Sequence, residues 1–179
     1  MKVKQIIFIL IILCFVHTVN AQYSEEQIKA AFIYNFIEFI EWPKKDKTTD
    51  VYIIGILGED GVTESLLQTH YNILINNKTI SIKIFKNMDE ITDQVNMLYI
   101  SKNFAHKNGG LRSITTKLIG TSTVTVSEHE EFCQLGGVIN FPKKGARHRF
   151  EINTAYNNTC NVKISSKLLS LANLITPYE

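Results

Sequence analysis

Along this chain, segments with the hydrophobic pattern of a β-strand alternate with segments in which apolar residues recur at helical spacing. Val51 to Leu57 is a short, continuous, β-branched apolar run, which is typical of a buried strand. Thr79 to Phe85 alternates apolar with polar residues and predicts a half-buried strand near a sheet edge. Between them, from Thr63 to Ile73, apolar residues recur at helical spacing. Further strands are predicted at Met97 to Ser101, Ser122 to Ser127 and Asn161 to Ile164, and further helices at Met88 to Val95, Leu111 to Ile119, Glu128 to Leu135 and Lys167 to Ile175.

This succession of strands and helices sets the fold class. It predicts an α/β domain, a three-layer sandwich in which helices cover both faces of a mainly parallel sheet. Val138 to Phe141 and Arg149 to Asn153 flank a polar connection and predict an antiparallel hairpin near the C-terminus. On the second of these strands, Arg149 and Glu151 share one face. If that face is covered, the two charges need partners, so we predict a structural pair between Arg149 and Glu151.

The first 21 residues have the order of a secretory signal peptide. Lys2 and Lys4 precede an apolar run from Ile6 to Val16, and Val19 to Ala21 offers small residues for cleavage. We therefore expect residues 1–21 to be removed and residues 22–179 to form one domain in the periplasm. The precursor has 19 basic and 17 acidic residues, so loss of two lysines leaves 17 of each. A neutral protein of this kind is not a general binder of nucleic acid or anionic membranes.

A helix rich in aromatic residues follows directly. Ser24 and Gln27 have the spacing of a capping box, and the helix is predicted from Ile28 to Trp42, where Pro43 stops it. One half of its circumference is apolar and belongs to the core. The other half is mixed, and two explanations stay open: neighbouring elements cover it, or it is an interface with a partner protein. The partner-binding residues of the second explanation are Tyr34, Glu38 and Trp42.

The sequence contains no recognisable catalytic or metal-binding motif. The first strand ends in a glycine series, Gly55, Gly58 and Gly61, but its spacing is not that of a dinucleotide-binding loop, and a tight turn explains it. The histidines of the mature chain do not have zinc-site spacing with each other or with cysteine; they are His70, His106, His129 and His148. We therefore predict no enzyme activity, no metal and no cofactor. Cys133 and Cys160 remain after processing, and they either form a disulfide or are two buried free thiols.

Several segments together resemble the YfiR-like family of small exported proteins. They are KAAFIYNFIEFIEWP from Lys29 to Pro43, then VYIIGILGED, MLYIS, TVTVSEHEEFCQLGGVINF, RFEIN and ISSKLLSLANLI, in the order and spacing of the family. The resemblance implies a sandwich with a Rossmann-like sheet, no catalytic residues and frequent dimers. It also implies a periplasmic repressor that binds a membrane-bound diguanylate cyclase, so that cyclic di-GMP and biofilm formation stay low.

Two classes of function follow as expectations. In the first, the protein is an exported regulator that docks on a membrane-bound sensor, either a cyclase or a kinase, and a second copy of the chain is a further candidate partner. In the second, it is a periplasmic small-ligand binding protein or an accessory subunit of a histidine kinase or another envelope receptor. The ligand pocket would then lie at the carboxyl ends of the parallel strands, near Gly58 to Gly61 and Ser101 to Phe104.

Overall fold

The computed structural model describes residues 23–43, 50–69, 74–92, 94–107, 111–142 and 149–178. Its helices are α1 (Glu25–Glu38), α2 (Gly61–Thr69), α3 (Lys102–Lys107), α4 (Leu111–Lys117), α5 (Tyr156–Thr159) and α6 (Ser166–Leu171), with a 3-10 turn at Met88–Glu90. Its strands are β1 (Ile40–Glu41), β2 (Val51–Leu57), β3 (Leu74–Ile75), β4 (Lys78–Phe85), β5 (Met97–Ile100), β6 (Val124–Ser127), β7 (Ile139–Asn140), β8 (Glu151–Asn153), β9 (Lys163–Ile164) and β10 (Asn173–Ile175).

Eight strands of the described residues form one curled sheet in the order β10-β8-β7-β6-β5-β2-β4-β3. Most neighbours are parallel, while β7 with β8 and β3 with β4 are antiparallel. The predicted α/β fold, the mainly parallel sheet and the C-terminal hairpin are confirmed. From β2 the chain moves first to β4 on one side and later to β5 on the other, so the sheet changes direction between β2 and β5.

Helices cover both faces of the sheet and give two apolar cores. On β2, Ile54 and Ile56 point to the first face, where α1 and α2 pack, while Leu57 points to the second face, where α4 packs. Gly55 also belongs to the second face, because a Cβ atom there would lie 2.9 Å from both the Leu98 and the Phe85 side chains. The three layers are therefore α1 with α2, the sheet, and α3 with α4.

Helix α1 has the predicted capping box, but it begins at Glu25 rather than Ile28 and ends earlier than predicted. The Ser24 hydroxyl accepts from the Gln27 amide, and the Gln27 side chain accepts from the Ser24 amide, which completes the capping box. The helix stops at Glu38 rather than at Trp42, because Ile40 pairs with Ile164 in the separate two-stranded sheet of β1 and β9. The Ser165 amide also donates to the Phe39 carbonyl over 2.9 Å, which fixes this change of direction.

Three other helix predictions were wrong in part. Met88 to Val95 gives only the 3-10 turn at its start. In place of the helix predicted from Glu128 to Leu135, residues 130–136 form a series of turns, in which Glu131 has a φ of +62°. The last helix stops at Leu171, and the chain then continues as β10 beside β8. Helices α3 and α5 were not predicted.

Some predicted features lie outside the described residues. They are the signal peptide at residues 1–21 and the part of the polar connection in the C-terminal hairpin at residues 143–148. Within the described ranges, no helix is both long enough and apolar enough to cross a membrane.

Candidate functional site

A charged network fastens the N-terminal end of α1 to the carboxyl edge of the sheet. Lys29 Nζ lies 2.5 Å from Glu128 Oε2 and 2.9 Å from Glu25 Oε1. The Tyr99 hydroxyl donates to Asp60 Oδ2 over 2.8 Å and approaches Glu128 Oε1 at 3.4 Å. Asp60 follows β2 and Glu128 follows β6, so the network joins α1 to two strand ends.

The pKa values in this network follow from burial and charge. Burial alone would lower the pKa of Lys29, but the hydrogen bonds to Glu128 and Glu25 outweigh it and raise this pKa. Burial raises the pKa of Tyr99, and the neighbouring carboxylates of Asp60 and Glu128 raise it further. Lys29 is therefore charged and Tyr99 neutral at any physiological pH, and the network holds α1 across that range.

Two residues predicted to bind a partner have roles inside the molecule. Tyr34 is only 4% exposed, and its hydroxyl donates to the Leu66 carbonyl of α2 over 2.6 Å. Trp42 is half-buried, and its ring nitrogen donates to the Ser122 carbonyl over 2.9 Å at the amino end of β6. Neighbouring elements thus cover Tyr34 and much of Trp42, whereas Glu38 is exposed. Tyr34 does not contribute an accessible contact, which corrects the interface explanation for that residue.

The exposed side of α1 is a stripe with one residue per turn. We call it the outer face of α1, and it comprises Gln27, Ala31, Asn35 and Glu38 with the flanking residues Tyr23, Ile28 and Phe32. A depression of about 290 Å³ runs along this stripe, bounded at one side by Thr69 of α2. The sequence pattern placed Ala31, Asn35 and Glu38 on the mixed side of the helix, and Ile28 and Phe32 on its apolar side. It could not show that α2 covers Tyr34 and leaves Ala31 and Asn35 open.

The floor of the outer face is an aromatic cluster. The Phe32 ring lies 5.9 Å from the Phe36 ring, 6.4 Å from the Phe141 ring and 5.7 Å from the Phe150 ring, centroid to centroid. Phe141 and Phe150 follow β7 and precede β8, so the cluster ties α1 to the C-terminal hairpin. Such contacts hold the outer face in one arrangement.

Two glycines pack closely at the carboxyl end of β2, where a ligand pocket was expected. Gly58 has a φ of +87°, and a Cβ atom there would lie 2.2 Å from Ser101 Oγ and 2.7 Å from Phe104 Cβ. A Cβ atom on Gly61 would lie 2.8 Å from the Glu26 side chain of α1. The expected ligand pocket near Gly58 to Gly61 and Ser101 to Phe104 stays a prediction, while the structure shows close packing at Gly58 and Gly61. These glycines serve a tight turn and close packing.

The predicted Arg149–Glu151 pair is absent among the described residues. Glu151 accepts instead from Asn140 Nδ2 at 3.0 Å and from Asn173 Nδ2 at 3.4 Å. Arg149 is exposed, so the face of β8 that carries Glu151 is satisfied by amides rather than by the guanidinium. Strands β7 and β10 lie on either side of β8, so Asn140 of β7 and Asn173 of β10 both lie beside the Glu151 carboxylate.

Cys133 and Cys160 are both buried and both free. Burial raises the pKa of the Cys160 thiol to about 11, and burial together with the charge of Glu151 raises the pKa of Cys133. Of the two alternatives left open by the sequence, the structure has the pair of buried thiols rather than a disulfide. Within the described residues, no group of three or more His, Cys, Asp or Glu side chains is placed to hold a metal ion.

The chain belongs to the YfiR/HmsC-like family, whose model matches residues 26–173. This family is regulatory rather than catalytic, and its members are periplasmic and act with membrane partner proteins. No curated protein matches the chain significantly.

Proposed function

We propose that this protein is an exported, non-catalytic regulator that binds the periplasmic part of a membrane-bound signalling protein and holds it inactive. By its family, the partner is a diguanylate cyclase, so repression keeps cyclic di-GMP and biofilm formation low. The observation that carries the proposal is the outer face of α1, which stays open in a member of a family that acts with membrane partners.

The chemistry of the outer face suits a protein partner. Tyr23 is 75% exposed, and together with Phe32 it flanks the small side chain of Ala31, so aromatic groups border a shallow apolar surface. Aromatic residues around a desolvated centre are typical of protein interfaces. The amides of Gln27 and Asn35 both donate and accept hydrogen bonds, which gives orientation to a partner.

The helix is also presented rigidly. Lys29 holds its N-terminal end through Glu128, and Trp42 packs just beyond its C-terminal end through the Ser122 carbonyl. A surface that is already ordered loses less conformational entropy on binding, so more of the contact energy remains as affinity. Tyr34 and Trp42 therefore support the docking surface from inside, and Glu38 marks its charged end.

Repression requires a difference in affinity between two states of the sensor. A regulator that bound the active and inactive conformations equally well would change nothing. To move a sensor from about 1:99 to about 99:1 in favour of the inactive state, the inactive state must be bound roughly 10⁴-fold more tightly. The outer face of α1 is proposed to recognise a surface that the sensor offers only when inactive.

An Ala31→Arg variant tests the proposal. Arginine is a good helix former, and position 31 is exposed, so the fold should persist while bulk and charge block docking. Ser113→Arg on α4 is the matched control, because it is also an exposed helical position but lies in the layer across the sheet. In cells lacking the native gene, we expect the control to lower cyclic di-GMP like the unmodified protein and Ala31→Arg to fail.

A photo-crosslinking amino acid at Asn35 then identifies the occupant of the face. Capture of a membrane cyclase supports the full proposal, and capture of a histidine kinase keeps the docking but rejects the cyclase. Capture of a second copy alone, or normal repression by a folded Ala31→Arg variant, would show that the outer face is not the docking surface for a sensor.

A further inference from the structure

One edge of the large sheet is covered over only a small part of its length. Strand β4 pairs with β2 from Thr79 to Phe85. On its other side, β3 pairs only with Lys78 and Thr79. Among the described residues, no strand lies beside the rest of β4 on that side. We call this part, Ile80 to Phe85, the open edge of β4.

The hairpin turn between β3 and β4 determines which backbone groups point to the open edge. The two asparagines of the turn, at residues 76–77, have φ values of +52° and +63°, which is typical of a two-residue turn. The flanking residues Ile75 and Lys78 pair with each other, so the backbone groups of Lys78 point towards β3. The next amide, that of Thr79, points the opposite way and donates to the Asp50 carbonyl over 3.0 Å.

Three isoleucines therefore direct their backbone N–H and C=O groups to the open edge. These groups alternate in direction along a strand, so those of Ile80, Ile82 and Ile84 point the same way as those of Lys78. Such a row of backbone donors and acceptors is a template for one more strand. The isoleucine side chains share one face, on which Ile80 is buried and Ile84 is 53% exposed. An added strand would cover the exposed part of Ile84.

The open edge is also basic. Lys83 is exposed on the opposite face of β4, and it forms no ion pair with any described residue. Lys86 follows the strand and is exposed. Strands β2, β3 and β4 contain no Asp or Glu. The first carboxylates after β4 are engaged, because Asp89 pairs with Lys117 at 2.8 Å and Glu90 accepts from the Lys86 amide at 3.0 Å.

This charge distribution favours one kind of occupant. A second copy of β4 would bring the Lys83 and Lys86 side chains of both strands together, with no carboxylate on either strand. Like charges on neighbouring strands are destabilising, and exposed lysines on an edge strand oppose its pairing with itself. A strand that carries Asp or Glu would instead pair its charges with these lysines.

We propose that the open edge of β4 binds an extended acidic segment of another protein, which adds one strand to the eight-stranded sheet. The backbone of the segment pairs with the outward groups of Ile82 and Ile84. Its apolar residues lie beside the isoleucine side chains, and the alternate residues, which are Asp or Glu, lie on the other face beside Lys83. The site goes beyond the proposed docking function, because it uses backbone groups at a sheet edge and none of the residues of the outer face of α1.

NMR titration of the ¹⁵N-labelled mature chain tests the site with two matched peptides. Both are capped pentapeptides in which valine alternates with a charged residue, glutamate in one and lysine in the other. We expect the glutamate peptide to shift the amide signals of Ile82 and Ile84 saturably, and the lysine peptide to bind at least about fivefold more weakly. Lys83→Glu should reverse this preference. Lys102→Glu, an exposed control on α3, should leave it unchanged.

Methylation of the peptide backbone separates strand addition from charge attraction alone. Alternate amides of a strand face its partner, so methylating the valine amides or the glutamate amides should abolish binding in one case and preserve it in the other. On the protein, Ile84→Pro removes an outward N–H that β2 does not use, and we expect at least about fivefold weaker binding with the β2 signals unmoved.

Three results would overturn the proposal. The first is the absence of a saturable shift up to about 5 mM glutamate peptide, a concentration that would reveal even millimolar affinity. The second is equal binding of the two methylated peptides, or an unchanged preference in Lys83→Glu. The third is a shift of the same signals with protein concentration in the absence of peptide, which would identify a second copy as the occupant. None of these results would affect the Ala31→Arg test of the outer face of α1.

Discussion

At the scale of single residues, the role of Tyr34 depends on one hydrogen bond. Its hydroxyl donates to the carbonyl of Leu66, which lies in the last turn of α2. The last carbonyls of a helix have no partner within the helix, so Tyr34 caps α2 from the side. The sequence placed Tyr34 correctly on the mixed half of α1. It could not show this bond, because nothing local links position 34 to the end of another helix.

Tyr34→Phe should therefore destabilise the protein without changing its surface. Loss of the hydroxyl leaves the Leu66 carbonyl without this donor, and we expect the free energy of unfolding to fall by about 1–2 kcal/mol. Urea denaturation of the purified mature chain measures the change. Tyr23→Phe is the matched control, because Tyr23 is 75% exposed and should cost less than about 0.5 kcal/mol. Equal effects of the two variants would contradict the capping role.

The two thiols should be unreactive in the folded protein. Both are buried, and burial raises the pKa of Cys160 to about 11, so the reactive thiolate is scarce at neutral pH. We expect iodoacetamide to leave both cysteines unmodified until the chain is unfolded, as seen by intact mass. Ser113→Cys provides an exposed thiol as the positive control. An unreduced mass lower by two hydrogens would instead reveal a disulfide and contradict the free pair.

At the scale of helices and strands, the sequence predicted correctly those features that neighbouring residues determine. The capping box of α1 and all of β2 are confirmed, since both are encoded by neighbouring residues. The end of α1 and the strand β10 were missed for the opposite reason. Ile40 leaves the helix to pair with Ile164, and Leu174 pairs with Ile152, so partners distant along the chain override helical patterns.

The candidate site, like the fold, could be predicted only where local sequence patterns determine it. Glu38 was named from the sequence and is exposed on the outer face of α1. Ala31 and Asn35 were visible on the same helix, but their exposure depends on where α2 packs. The smaller depression beside α4 could not be predicted from the sequence, because its lining residues Arg112, Gln134 and Tyr178 come from three separate parts of the chain.

The attachment of α1 should depend on Lys29. Its side chain is 13% exposed and bridges two carboxylates, so Lys29→Met leaves Glu128 beside Asp60 without a compensating charge. We expect a loss of about 1–3 kcal/mol in the free energy of unfolding, measured by urea denaturation. Lys117→Met is the control, because its pair with Asp89 is exposed and worth less than about 1 kcal/mol. A loss for Lys29→Met no larger than for the control would show that other contacts hold α1.

At the scale of the whole molecule, the sheet separates two surfaces with different chemistry. The outer face of α1 is a broad, mixed surface with a depression of about 290 Å³ and suits a protein partner, whereas the layer of α4 has a smaller depression of about 130 Å³ beside Arg112. Both are held by hydrogen bonds that are intact at neutral pH. The buried side chains that hold these surfaces in place should also determine how the free energy of unfolding changes at high pH.

The protein should lose stability as the pH rises above about 9. Burial raises the pKa of Tyr34, Tyr99, Cys133 and Cys160 in the folded chain, the last to about 11, so the native state keeps protons that the unfolded chain releases. Stability then falls with increasing pH, at up to about 1.4 kcal/mol per pH unit for each such group. The loss begins near the ordinary thiol pKa of about 8.5 and steepens above about 10, where free tyrosine ionises.

Urea denaturation between pH 7 and pH 11 measures this decline, and Tyr99→Phe shows which groups cause it. Tyr99 is completely buried between two carboxylates, so its proton is among the last to leave the folded state. Phenylalanine cannot ionise, and the slope above about pH 10 should therefore become shallower by up to about 1.4 kcal/mol per pH unit, even though the variant is less stable at pH 7. A stability that stays constant up to pH 11, or an unchanged slope in Tyr99→Phe, would mean that Tyr99 is not shielded from solvent. Solvent would then reach the charged network of Tyr99, Asp60 and Glu128, which would weaken the attachment of α1 on which the docking surface depends.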